Sequence, residues 1–344
     1  MIKIGLAVFL SFIFAFTLDA QGAAPTGKTS GSPPAKIRIS QSALNTRSAV
    51  LWIAQAQGLF AKNGLEAEVV LLQSSNLQTA ALASGEVQLA TIGGATVLSA
   101  VAAGQDLKIV ASPSNRLPYD LVVRPEIKEA QDLRNKRFGV TSVGGTTWMA
   151  AILALRHFGL DLSRDNIQLN AIGNQGILAQ AIEAGNIDMT LVDPFLSRRL
   201  QQKGLRVMLE LYRVNIPFIN TSIVASAPYL REHEERVEHF LRAMLEAQAF
   251  IAAQSNKNTV MRTVMNHMKI TDAGVAEEGY QDLLLSLEKK PYPSLEALRN
   301  IQRLMASMNP KAALVKPEQV IDARLIRKLD ESGFIDGLYN AQKR

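Results

Sequence analysis

The chain has no cysteine in its 344 residues. That absence removes disulfides, thiolate nucleophiles, Cys-ligated metals and the lipidated cysteine that tethers many exported proteins. Histidine is scarce too: His157, His233, His239 and His267 are the only four, and none shows metal-ligand spacing. His233 and His239 lie among Glu232, Glu234, Glu235 and Glu238, the composition of a solvated helix face. No G-x-S-x-G elbow occurs, and no S-x-x-K stands in a context suited to catalysis. Beyond residue 18 no run is long and apolar enough to span a bilayer. These absences argue against an enzyme and call for no metal and no cofactor.

What is present begins at Lys3, followed by an apolar run from Ile4 to Leu18 and then small residues at Ala20, Gly22, Ala23 and Ala24. One positive charge, about fifteen apolar residues and a small-residue site form the layout of a cleaved signal peptide. Residues 1–23 are therefore expected to direct export. A membrane anchor is the alternative, but the run is short for one. Residues 24–35 are rich in Gly, Pro and Ser and read as a flexible leader. Roughly 310 residues remain, enough for two ordinary domains. The formal net charge of +6 is scattered rather than striped, so it implies mild attraction for anions and no nucleic-acid partner.

After the leader, strand patterns at 36–40, 67–72, 87–92 and 107–112 alternate with helical spacing at 49–60, 77–84 and 95–103. The rhythm restarts with strands at 137–141, 166–171, 188–192 and 206–211, between helices at 147–158, 177–184 and 194–203. Such alternation with short Gly-containing turns predicts α/β architecture with mixed, mostly parallel sheets. The segments 81–91 and 181–191 also match, one hundred residues apart, each a helix stopped by glycine (Gly85, Gly185) before a buried strand. Beyond Ala225 helices dominate, over 228–254, 258–267, 272–287, 294–307 and 321–329. Pro291, Pro293, Pro310 and Pro317 mark the limits of the later ones. This part is expected to pack on the first lobe.

Several segments carry a resemblance as a set. They are Ala54-Gln-Ala-Gln-Gly-Leu-Phe-Ala-Lys-Asn-Gly-Leu65, Ala80-Ala-Leu-Ala-Ser-Gly-Glu-Val-Gln-Leu-Ala90, Ile92-Gly-Gly-Ala95, Asp132-Leu-Arg-Asn-Lys-Arg-Phe-Gly-Val-Thr141 and Ser142-Val-Gly-Gly-Thr-Thr147. From about residue 36 onward the chain resembles the periplasmic substrate-binding proteins of ABC importers in the nitrate/sulfonate/taurine and thiamine-precursor group. The resemblance implies a two-lobed, type 2 periplasmic binding protein fold with ligand in the cleft. Lobe 1 would be built from 36–117 and 222–344 and lobe 2 from 118–221, with crossings near 117–124 and 220–225. It implies a monomer in the periplasm that closes on a small molecule and delivers it to an inner-membrane permease. Two alternatives stay open: a pyrimidine-precursor synthase or binder, and a sensor-type binding protein without transport. The related synthase branch carries a cysteine-rich iron-binding motif, which this chain lacks.

In parallel α/β sheets ligands sit beyond the C-terminal strand ends, where helices begin. Four such turns are small and polar: 42–48 with Ser42, Asn45 and Arg47; 73–76 with Ser75 and Asn76; 93–96 with Gly94 and Thr96; and 142–147 with Gly145, Thr146 and Thr147. Free N–H groups and hydroxyls at helix starts favour anionic or strongly polar groups, although plain N-capping explains each turn as well. Trp148 is either an apolar cleft wall or core, and Trp52 is expected in the core. Arg47 either meets an acidic ligand group or is merely exposed. Asp193 is either an N-cap or a cleft residue accepting from a ligand amine. The balance points to an organic anion, sulfonate- or carboxylate-like.

Overall fold

The computed structural model describes residues 33–41, 46–72, 74–214, 216–306 and 309–340. The signal peptide, the leader up to residue 32, and the expected site residues Ser42 and Asn45 lie outside the described residues.

In β1 (Ala35–Gln41) Ile37 and Ile39 point into the core while Lys36 and Arg38 stay outside, the period-two pattern of a half-buried strand. β1 pairs in parallel with β2 (Leu65–Leu71), in a register that sets Lys36 beside Glu66 and Arg38 beside Glu68. The opposed charges pair across the strands at 3.8 and 2.7 Å. β3 (Leu89–Ile92) is nearly all buried and runs parallel to β1. β4 (Leu107–Ser114) lies at the far edge.

The second sheet holds β5 (Asp120–Val123), β6 (Arg137–Val140), β7 (Gln168–Ala171), β8 (Met189–Val192) and β9 (Arg206–Glu210). The chain then returns to the first sheet as β10 (Thr221–Ser226). The strand orders are β2-β1-β3-β10-β4 and β7-β6-β8-β5-β9. The two are the same order in different parts of the chain: β3 and β8 are central, and β10 and β5 run antiparallel beside them. The matched segments one hundred residues apart thus occupy equivalent places. Gly85 and Gly185 both end a helix with φ near +75°, a left-handed conformation that glycine adopts without strain.

Crossings were expected near 117–124 and 220–225; half of the first segment and most of the second are strand, β5 and β10. Both are apolar runs buried between their neighbours, and outside the strand–helix alternation they leave no rhythm to read. The crossings are the flanking segments between Ser114 and Asp120 and between Glu210 and Thr221. These segments bond to one another, Phe218 N to Asn115 O at 3.1 Å and Asn220 N to Ser114 O at 3.1 Å.

One apolar core runs from the first sheet through Leu117, Tyr119, Phe218 and Ile219 into the second. A second core lies under helices Ala49–Ala56 and Glu234–Ala252, and a third under Gln175–Glu183 and Pro194–Gln202. The helix expected over 228–254 breaks at His233. Ser226 caps the short helix Ala227–Glu232 with Pro228 in its first turn, and Glu234 and Glu235 place their charge at the favourable start of the next. The last expected helix starts late, at Arg324, because Ile321 bridges to Ile109 of β4.

Candidate functional site

Three helices begin directly after strands: Gly94–Ala102 after β3, Thr146–His157 after β6 and Pro194–Gln202 after β8. The first two starts meet across the two sheets. A Cβ built on Gly93 would stand 2.9 Å from Thr146 Oγ1, so the first-lobe turn and the second-lobe turn meet almost backbone to side chain. The short 3-10 turn Thr46–Ser48 meets the third start, where Arg47 reaches Asp193.

There an ion pair joins the lobes. Arg47 Nη1 donates to Asp193 Oδ1 at 2.7 Å, with the side chains only 13% and 15% exposed. Burial disfavours the guanidinium charge, but Asp193 and Tyr119 more than offset this and hold its pKa above the ordinary value. Arg47 also lies 5.7 Å over the Tyr119 ring. Burial pushes the Tyr119 phenol up to about 12, against the pull of Arg47.

A small pocket surrounds the pair, with about 30 Å³ of open space, room for a water or two. Its charged lining is balanced, Arg47 and Arg116 against Asp193 and Asp282, with Pro118, Phe195 and Leu285 among its apolar walls. Asp282 comes from the helix Ala273–Ser286, so the helical tail reaches the second lobe as well as the first. There Arg198 donates to Asp282 Oδ2 at 2.5 Å and pairs with Glu278. Burial raises the Asp282 pKa while Arg198 pulls it down. Beneath the pocket, Asp120 is 5% exposed and accepts from the Ser197 hydroxyl. Burial pushes its pKa up to about 6, helped by the nearby Glu210 and Asp282.

The residues singled out from sequence separate into groups. Arg47 is mostly shielded and paired instead of exposed. Asp193 stands at the N-cap position of Pro194–Gln202, but its side chain makes no capping bond and turns to Arg47 instead. The reason is geometric, since Pro194 at the first helical position has no N–H and Arg47 offers a charged donor. Gly94 is engaged, its N–H donating to Ile219 O at 2.9 Å. Gly145 caps its helix, and a Cβ there would meet Ser142 Oγ at 2.5 Å. Thr147 Oγ1 turns inward to Thr141 N at 2.9 Å and Thr141 Oγ1 at 2.7 Å, whereas Thr146 faces Gly93. Trp148 lies in the shared core at 8% exposure, and Trp52 is buried, stacked on His267 at 4.5 Å. Thr96 is half-buried. Ser75 and Asn76 open the helix Ser75–Ser84, which Ser74 caps by accepting from Asn76 N at 3.2 Å. Sequence reasoning missed Asp120, Arg198 and Asp282, because only the tail's docking brings the last two together and nothing local marks the first.

Residues 45–257 match the profile of the family described as NMT1/THI5 like. The chain belongs to that family. A search of curated protein sequences gives no match. Among solved structures it is similar to the periplasmic aliphatic sulphonate-binding protein of Escherichia coli, at 22% identity and TM-score 0.69, covering 85% of this chain and 99% of that one. It is similar to the alkanesulfonate-binding protein of Xanthomonas axonopodis pv. citri bound to MOPS, at 18% identity and TM-score 0.68 over 85% and 99%. The periplasmic nitrate-binding protein of Synechocystis PCC 6803 aligns at 15% identity and TM-score 0.67 over 88% and 90%. This member of the NMT1/THI5-like family thus has the two-lobed, type 2 periplasmic binding protein fold. Among the described residues no helix is long and apolar enough to cross a membrane, and no group of three or more His, Cys, Asp or Glu is placed to hold a metal.

Proposed function

We propose that the chain is the extracytoplasmic solute-binding component of an ABC importer, exported by residues 1–23 and working as a monomer. It captures a small organic molecule bearing an anionic group between its lobes and delivers it to a membrane permease. The observation that carries this reading is Arg47, a mostly shielded cation of the first sheet's lobe that bonds Asp193 at a helix start of the other, between lobes of the same strand order.

Arg47 receives the acidic group; Thr46 and Ser114 line the pocket around it, while Thr146 faces Gly93 where the lobes meet. Since the pocket holds only about 30 Å³, a ligand with a carbon skeleton must enter while the lobes are apart. Contacts to both lobes then favour closure, because only the closed state offers the full set.

A thermal-shift screen against sulfonates, carboxylates, nitrate and pyrimidines tests the reading, since a ligand of the folded state raises stability with concentration. A sulfonate or carboxylate should raise the melting temperature in proportion to the logarithm of its concentration. A response confined to pyrimidines would replace the anion with a neutral heterocycle. No response from any class would remove the binding role.

A further inference from the structure

We propose that the ligand is a small zwitterion, its anionic group taken by Arg47 and its cationic group by Asp193. The inference rests on the capture role proposed above and names the ligand class that the same cleft selects.

The chain brings its own counter-ion to the cation meant for the ligand. Arg47 of the first lobe and Asp193 of the second meet at 2.7 Å, each at least 85% shielded. Asp193 has no local duty there, making no side-chain bond to its own helix. The pocket has too little space to admit a ligand beside the intact pair, so the ligand must come between these two groups. A simple anion that takes Arg47 leaves the Asp193 carboxylate shielded from water, unpaired and next to a like charge, which is unfavourable. A simple cation leaves Arg47 stranded in the same way, and a neutral molecule strands both. A zwitterion replaces each partner with its equivalent. The remaining charged lining, Arg116 and Asp282, keeps the chamber balanced, as a net-neutral ligand with two charges requires. Pro118, Phe195 and Leu285 suit a short carbon chain between the charges. Tyr119 beneath the guanidinium holds Arg47 in place as its partner changes.

Titration calorimetry on the whole secreted chain with matched probes tests this: aminopropanesulfonate against propanesulfonate, and aminobutanoate against butanoate. The amine-bearing member of at least one pair should bind about tenfold more tightly or better. In Asp193→Asn that preference should fall towards one while the amine-free member binds as well as before or better. The wild-type comparison stands even if the variant folds poorly, and a melting curve of the variant in buffer reveals that case. Equal or tighter binding of the amine-free members to wild type would overturn the zwitterion and leave the anion-capture reading standing. Binding of none of the four would overturn the zwitterion and count against capture of a small organic anion as well.

Discussion

Gly93 and Thr146 follow strands of different sheets, yet a single methyl group on the glycine would come within 2.9 Å of the threonine Oγ1 and 3.3 Å of Asn220 O. The contact exists because β3 and β6 end at the same cleft and the turn after β3 carries no side chain. Gly93 has φ −70° and ψ 143°, which any residue can adopt, so a larger side chain there changes the cleft without straining the backbone. Gly93→Val should therefore leave the melting temperature close to that of wild type but prevent full closure. Small-angle scattering in the presence of a binding ligand would show a larger radius of gyration than wild type, and affinity should drop about tenfold or more. An unchanged radius with unchanged affinity would mean that the lobes do not have to meet at this point.

Arg198 bonds Asp282 and pairs with Glu278 across the lobes using only the chain's own groups. The side chains are 30% exposed for Arg198 and 19% for Asp282, so the stability at stake is small, about 1 kcal/mol or less. The effect on lobe separation is larger than that figure suggests, because a few kcal/mol or less separates open from closed states. Arg198→Ala should expand the unliganded protein measurably in scattering and weaken ligand binding, with only a slight fall in melting temperature. Raising the salt concentration should reproduce part of the expansion in wild type.

The order of elements was legible from alternation, glycine stops and the hundred-residue repeat, because each leaves a local trace. β5 and β10 were not. Asp120–Val123 and Thr221–Ser226 are short apolar runs whose role as antiparallel partners depends on strands far away in sequence. The site was half legible. Arg47 and Asp193 stood out as charges in turns that follow strands, but their pairing spans 146 residues. Asp193 looked like a cap because aspartate before a helix usually is one. A tertiary partner with full charge outweighed that preference. Asp282 and Arg198 sit on helical surfaces where a charge usually means solvent, and only packing of the tail against the second lobe makes them neighbours.

Asp120 gives stability a pH dependence of defined sign. Its folded-state pKa is pushed up to about 6 from an ordinary 3.8, chiefly by burial, so the folded state holds this proton more tightly than the unfolded state. Between roughly pH 4 and 6 the folded chain binds the extra proton, so this group's contribution falls as pH rises through that window and is flat above it. The full difference is about 3 kcal/mol. Asp120→Asn, which can still accept from Ser197, should be more stable than wild type at pH 7.5 and equal to it near pH 4. Asp165 acts with the opposite sign and lower down: the Arg164 hydrogen bond, backbone donation and Arg134 hold it at about 2, so its contribution is lost only as pH falls below the ordinary carboxylate range. Melting temperatures across pH 4 to 8 for both proteins check the sign, and parallel curves would rule out a raised Asp120.

The neighbouring threonines at the start of the helix Thr146–His157 should separate cleanly under mutation. Thr147 is buried, and its Oγ1 serves both Thr141 N and Thr141 Oγ1, so it ties the end of β6 to the helix it feeds. Thr147→Val keeps the shape but removes the hydroxyl partner of the part-buried Thr141 N–H and hydroxyl, which costs about 1 kcal/mol. Thr146 instead points its hydroxyl across the cleft toward Gly93, so Thr146→Val removes a polar group from the closing surface without orphaning a buried donor. Denaturant unfolding should place the loss of stability in Thr147→Val, and ligand titration should place the loss of affinity in Thr146→Val. The reverse assignment would mean that the inward hydroxyl meets the ligand and the outward one supports the fold, against the geometry of both.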